Sequence, residues 1–196
     1  MSRVRVPPGP PIKLKSKTEV MYLCFLCYNH RMTYTSHDSE TPAFNQQVFT
    51  ACAFIHETFD GVEKVFMPKR ADTKKFLPGV YELPGGHIDF GEEMVTGLVR
   101  EIDEEFGMDV AIGDPFYVFT YTNPIKGSHS IEVIYFARFT TALGELAINP
   151  EDHSEFRWFS EDELENAANP AKGSDDLEFQ AIRKGFALLR GESLQF

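Results

Sequence analysis

The segment GGHIDFGEEMVTGLVREIDEEFGM, residues 85–108, constrains this chain more than any other. It places six carboxylates in the 14 residues from Glu92 to Glu105, four of them within positions 101–105. Like charges three and four residues apart weaken a helix by about 0.2–0.5 kcal/mol per pair unless something neutralises them. On a wheel of about 100° per residue, with Glu101 at zero, Glu105 falls near +40° and Glu104 near −60°. Leu98, Ile102, Val95, Phe106 and Val99 follow from roughly +60° to +160°, and Asp103 lies apart near −160°. The spacing therefore predicts a helix over 92–106 with one apolar stripe that packs on a sheet. Three glutamates border that stripe. Gly107 supplies a natural stop.

Hard divalent cations prefer carboxylate oxygens, so clustered acids beside a core read as a metal cradle. A solvated acidic face is the competing reading. Upstream, Pro84-Gly85-Gly86 predicts a tight turn whose backbone can approach a ligand, because glycine has no side chain in the way.

The elements around this segment alternate between strand and helix patterns. Residues 48–56, VFTACAFIH, read as a buried strand. Asp60-Gly61 turns the chain, and residues 62–67 return it as a hairpin. A polar loop leads to YEL (81–83), a short strand cut off at Pro84. Residues 116–122 and 130–140 read as two more strands, and 155–159 as a last short one. Ser160 caps a helix over 161–168, with Glu163 in the capping-box position. A final helix covers 175–190. No linker divides residues 46–196, so they are expected to form one domain.

Here the sequence resembles the Nudix hydrolase family, whose box is G-x5-E-x7-R-E-U-x-E-E-x-G-U, with U a bulky apolar residue. Gly86, Glu92, Arg100, Glu101, Ile102, Glu104, Glu105, Gly107 and Met108 fill every fixed position. Looser likeness runs through YELPGG before the box and EFRWFSEDEL after it. The resemblance implies an α/β fold, an α/β/α sandwich with a mixed sheet between helices. It implies hydrolysis of a nucleoside diphosphate linked to another moiety, such as ADP-ribose, a sugar nucleotide or a nucleoside triphosphate. The implied cofactor is Mg²⁺ or Mn²⁺, held by Glu101, Glu104, Glu105 and the Gly86 carbonyl. Arg100 would orient the glutamates with Glu92 as its partner. Catalysis would rest on Glu101, Glu104, Arg100 and Glu92. The general base is either a box glutamate or a later acid, with Glu132, Asp152 and Glu155 the candidates. Arg70 is a candidate for substrate phosphates, and Phe119 or Tyr121 for stacking on a base. Pro124, 16 residues past Met108, sits where ADP-ribose hydrolases of the family tend to carry a proline. Two other functions share the fold: a non-catalytic nucleotide sensor and an isoprenoid diphosphate isomerase. Intact Glu101, Glu104 and Glu105 weigh against the first.

The totals narrow the partners. A net charge of −11 disfavours a phosphate-tracking nucleic-acid binder, which needs a basic face. A small nucleotide carried with cations suits it better, and a homodimer stays open. No run of 18 apolar residues exists to span a membrane. VMYLCFLCY (20–28) imitates a signal-peptide core but is followed by NHRM, not a cleavage site, so the protein is expected to be cytoplasmic. Cys24, Cys27 and Cys52 then read as reduced thiols, with Cys52 packed in the core.

Residues 1–45 read as an N-terminal extension foreign to the rest. Its first 31 residues carry +5, leaving −16 for residues 32–196. Its proline-rich opening suits neither helix nor inner strand. It is either a disordered basic arm or sequence upstream of the true start, with Met21 or Met32 the first residue. Val4-Arg5-Val6-Pro7 is what GTTCGAGTCCC would encode, a sequence resembling the T-loop of a transfer-RNA gene.

Overall fold

The computed structural model describes residues 41–167 and 176–192. The expectations for residues 1–40, including Cys24, Cys27 and the start of the protein, lie outside them. The elements are β1 (Gln47–Phe59), β2 (Val62–Arg70), β3 (Gly85–His87), α1 (Met94–Phe106), β4 (Val110–Asn123), β5 (Ser128–Phe139), β6 (His153–Phe159) and α2 (Leu177–Leu189).

The strands form one mixed sheet of order β4-β5-β1-β2-β6, with β3 beside β1. β1 is central, and residues 50–56 are buried without a break. A strand covered on both faces reads as a continuous apolar run, which is why VFTACAFIH shows little alternation. β5 pairs with it in parallel, Ala51 opposite Val133, while β4 closes that side antiparallel to β5. The β1–β2 hairpin turns at Asp60 and Gly61, both at positive φ (51° and 81°). That pair of angles matches the right-handed twist of the strands it joins.

The period of two along β1 divides the core. Ala51, Ala53 and Ile55 face α1 with Phe66, Leu98, Ile102 and Phe106. Cys52 and Phe54 face the other way, against Phe179, Ile182 and Phe186 of α2. Helices thus cover both faces, and the α/β/α sandwich with a mixed sheet is the fold observed.

One irregularity of the sheet creates the site. β2 pairs with β1 only from Val62 to Val65, then continues against β6 through Arg70. The space it leaves beside β1 is filled by residues 84–87. Ala53 N–H donates to the Pro84 carbonyl at 2.9 Å, and Thr50, Ala51 and Cys52 stand opposite His87, Gly86 and Gly85.

Four local expectations are revised. YEL is not a strand. Tyr81 makes a single bridge to Lys69, while Leu83 N–H turns to the Glu178 carboxylate at 2.6 Å instead of a neighbouring strand. The glycines expected to turn are themselves strand β3. α1 starts at Met94, because Glu93 is its N-cap and accepts from Thr96 N–H at 2.8 Å. The stretch after Ser160 is a 3-10 helix over Glu161–Asn166, although its capping contact forms as expected, Ser160 N–H donating to Glu163 at 2.9 Å.

Candidate active site

Two glycines bring a backbone against a helix. Gly85 has φ 135°, and a Cβ there would stand 2.2 Å from the Ala51 carbonyl oxygen. A Cβ on Gly86 would stand 2.5 Å from Glu101 Oε2. The β3 backbone therefore lies directly on the glutamates of α1: a side chain at Gly85 would strike the β1 backbone, and one at Gly86 would displace the Glu101 carboxylate.

Arg100 organises the near end of these acids. Its Nε and Nη2 donate to the two Glu92 oxygens, each at 3.0 Å. Nη1 donates to Glu101 Oε1 at 3.0 Å and to Glu104 Oε2 at 3.3 Å, and Nη2 also reaches the His87 carbonyl at 3.1 Å. A planar guanidinium fork can serve several carboxylates at once, which a lysine cannot. Arg100 holds the Glu92 carboxyl below the usual carboxylate range.

Glu104 differs sharply in exposure from the other two glutamates. The side chains of Glu101, Glu104 and Glu105 are 10%, 51% and 12% accessible. Burial, with the nearby Glu105 charge added, pushes Glu101 up to about 8 despite Arg100. Burial also raises Glu105, against the opposing pull of His153. Glu105 Oε2 accepts from Gly85 N–H at 3.3 Å, and its Oε1 lies 3.3 Å from His153 Nε2. Among the described residues no three His, Cys, Asp or Glu side chains converge into a finished metal cage. Arg100 contacts Glu101 and Glu104, while the His153 ring stands against Glu105, so the three acids of the strip have different partners.

These groups open on a cavity of about 550 Å³. Gly86, Glu101, Glu104 and Glu105 line one wall. Of the other sequence candidates, Arg70, Glu132 and Asp152 line it, as do Phe119, Tyr121 and Pro124. Glu92 and Arg100 stand behind the wall as supports. Glu155 is not brought to the cavity. It accepts from Tyr81 Oη at 2.6 Å and from Lys69 Nζ at 3.2 Å, on the outer strand pair. Arg70 is held by Glu82 at 2.9 Å and by the Phe76 carbonyl at 2.9 Å. Asp152 is gripped on both oxygens, by Lys74 at 2.6 Å and Asn149 at 2.7 Å. Glu132 rises from the sheet floor, accepting from Thr50 Oγ1 at 3.4 Å. Phe76 and Tyr121 add two nearly parallel rings to the lining, 11° apart with centroids 6.1 Å from each other.

Sequence reasoning missed Glu82, Lys74, His153 and Glu178, all of which line the cavity. His153 could have been found from its place beside Asp152 at the start of a strand. Glu178 carried no signal beyond sitting in the first turn of a helix.

The NUDIX domain matches residues 48–178. The NAD-capped RNA hydrolase NudC of Stutzerimonas stutzeri (strain A1501) is 35% identical over 104 residues, covering 53% of this chain and 35% of that protein. The RNA pyrophosphohydrolase of Erythrobacter litoralis (strain HTCC2594) is 29% identical over 124 residues, 55% of this chain and 74% of its own. The chain thus spans about a third of the length of the NudC relative it matches. Among solved structures, a C. elegans Ap4A hydrolase in a binary complex superposes with TM-score 0.60 at 20% identity, over 74% of this chain and 98% of that one. That last likeness is one of fold. The family match covers most of the box-bearing domain, and the chain belongs to the Nudix family.

Proposed function

We propose that the protein hydrolyses a diphosphate linkage in a nucleoside diphosphate joined to another moiety, with Mg²⁺ or Mn²⁺ as cofactor. The observation that carries this is the contact between Gly86 and Glu101. A buried carboxylate, pushed up to about 8, lies against the bare backbone of Gly86, where a Cβ would stand 2.5 Å from Oε2 and displace it. Such a group seeks a cation, and its Arg100 partner meets only Oε1. The donor set fits a hard divalent ion. Glu101, Glu104, Glu105 and the Gly86 carbonyl would hold it. When bound, it would neutralise phosphate charge and lower the pKa of water.

The chain's own residues supply the rest. Arg100, braced by Glu92, keeps Glu101 and Glu104 aimed at the cavity. Glu104 is the acid best suited to take the proton of an attacking water, since it is half exposed and held by one contact of 3.3 Å. Asp152 is a poor base because both its oxygens are occupied. Glu155 points to the outer face and takes no part. Arg70 and Lys74 present positive charge across the cavity for phosphate, and the Phe76–Tyr121 end receives a base. The relatives' names point to nucleotide linkages at RNA ends. A net charge of −11 favours a small dinucleotide or sugar nucleotide, ADP-ribose among them, over an RNA chain. We place residues 46–196 as the catalytic domain and residues 1–45 as an extension to it.

The test is turnover by purified full-length protein with Mg²⁺ on ADP-ribose, NAD⁺, Ap4A, a nucleoside triphosphate, an NAD-capped RNA oligonucleotide and isopentenyl diphosphate. Release of nucleoside monophosphate from a dinucleotide or sugar nucleotide is expected. Tight binding without turnover would favour a sensor, and isomerisation of the isoprenoid would favour the third reading.

A further inference from the structure

The loop between the short 3-10 turn Leu143–Glu145 and β6 is stitched to the C-terminus of α1. The last carbonyls of a helix have no partner within it. Here Asn149 N–H donates to the Glu105 carbonyl at 2.7 Å and Ala147 N–H to the Phe106 carbonyl at 3.1 Å. The same loop then turns on Asn149, whose carbonyl accepts from both Asp152 N–H (3.1 Å) and His153 N–H (2.9 Å). Its far end is fixed by sheet pairing, His153 standing opposite Arg70 just after a register shift.

This double anchorage delivers one side chain to one carboxylate. The His153 ring stacks on Phe106, centroids 5.1 Å apart and planes 17° from parallel. It is 2% accessible, and its Nε2 stands 3.3 Å from Glu105 Oε1. That approach lacks good hydrogen-bond alignment, and neither ring nitrogen has another hydrogen-bond partner among the described residues. A buried polar ring of this kind ordinarily has a partner. Glu105 is the polar side chain within its reach, and the ring lines the cavity beside it.

We infer that His153 is a positioning residue for Glu105, fixing the direction in which that carboxylate faces the cavity. Gly85 N–H donates to one Glu105 oxygen and the His153 ring stands 3.3 Å from the other, so the carboxylate is flanked from two sides. A side chain that orients a metal-binding carboxylate tunes affinity for the ion without touching it. The inference rests on the reading of Glu105 as a metal-holding group.

The experiment titrates Mn²⁺ against the full chain, following free ion by electron paramagnetic resonance, with thermal unfolding as a check on folding. The variants are His153→Ala, His153→Gln and Glu105→Gln, with His153→Leu replacing the alanine variant if that one fails to fold. His153→Ala or His153→Leu is expected to weaken Mn²⁺ binding roughly 10–100-fold. His153→Gln, whose amide N–H can reach the same oxygen, is expected to recover most of that loss. KM for substrate at saturating Mn²⁺ should change little. Wild-type Mn²⁺ affinity in the alanine or leucine variant, or equal loss in the glutamine variant, overturns the inference while Glu105→Gln still weakens binding. Wild-type affinity in Glu105→Gln overturns the role of Glu105 itself, and the inference falls with it.

Discussion

The two helices that flank the sheet have the same length, 13 residues, and each carries a buried glutamate. Glu101 of α1 is 8% accessible and Glu178 of α2 is 7%. Their circumstances are opposite. Glu178 sits in the first turn of its helix, where the dipole favours an anion, and accepts the Leu83 N–H at 2.6 Å. Glu101 sits in the middle of its helix, beside Glu105 and Glu104, and has one arginine to offset them. One burial completes the structure. The other leaves a charge that the fold alone does not satisfy, and that difference marks the site more clearly than burial does.

Swapping carboxylate for amide at both positions should break the symmetry most visibly in turnover. Glu101→Gln is expected to lose roughly 10²–10³-fold in kcat, the size of effect seen when one preorganised electrostatic group is removed from an active site. Glu178→Gln keeps its acceptor oxygen and should stay near wild type. Equal losses in steady-state assays would mean that Glu178 belongs to the chemistry as well.

Divalent ions should sharpen the contrast. At a hundredfold excess over Kd, binding to the folded state adds about 2.7 kcal/mol, or roughly 5–10 °C in Tm for a domain of this size. Mg²⁺ or Mn²⁺ should produce this shift in wild type and in Glu178→Gln, and Na⁺ at equal ionic strength should not. Differential scanning fluorimetry reads it directly. A full shift surviving in Glu101→Gln would put the ion elsewhere.

Removing the acceptor altogether reverses the ranking. Glu178→Ala leaves Leu83 N–H without its partner and should cost about 1–3 kcal/mol in chemical unfolding. Glu101→Gln relieves repulsion and should cost nothing in the same measurement.

The remaining contrast is a pH drift. The Glu101 carboxyl is raised in the folded chain from 4.5 to about 8, so the folded state holds more protons than the unfolded one across that interval. Its stabilising contribution is complete below about 4.5 and is lost as pH rises through about 8. Chelator-treated protein should therefore lose Tm between pH 5 and 8 by a margin that Glu101→Gln reduces. Saturating Mg²⁺, which competes with that proton, should flatten the same slope.

The legible parts of the molecule were those governed by spacing along one element. Period 3.6 placed Leu98, Ile102 and Phe106 against the sheet and Glu101 and Glu105 at its border, and Gly107 ended the helix at φ 62°. Asp60-Gly61 specified its hairpin. What could not be read depends on which strands become neighbours. Gly85 and Gly86 looked like a turn because nothing local reveals that β2 leaves β1 and opens a place for them. Tyr81 and Leu83 have strand-forming side chains, yet Leu83 bonds a glutamate 95 residues away. Asp152 and Glu155 were equal candidates by position. The pairing of β6 with β2 sends one to the cavity and the other to Tyr81.

Strand β3 is three residues long, and only one of them can lie on Glu101. A slip of one place against β1 would bring Gly85 or His87 to that contact. The histidine would collide with the carboxylate, and the other glycine would move its carbonyl to the opposite side of the strand. Neither error would change the helix content or disturb much of the core. The site thus stores its information as a register, and a chain misaligned by a single residue would be folded by most spectroscopic measures and inert.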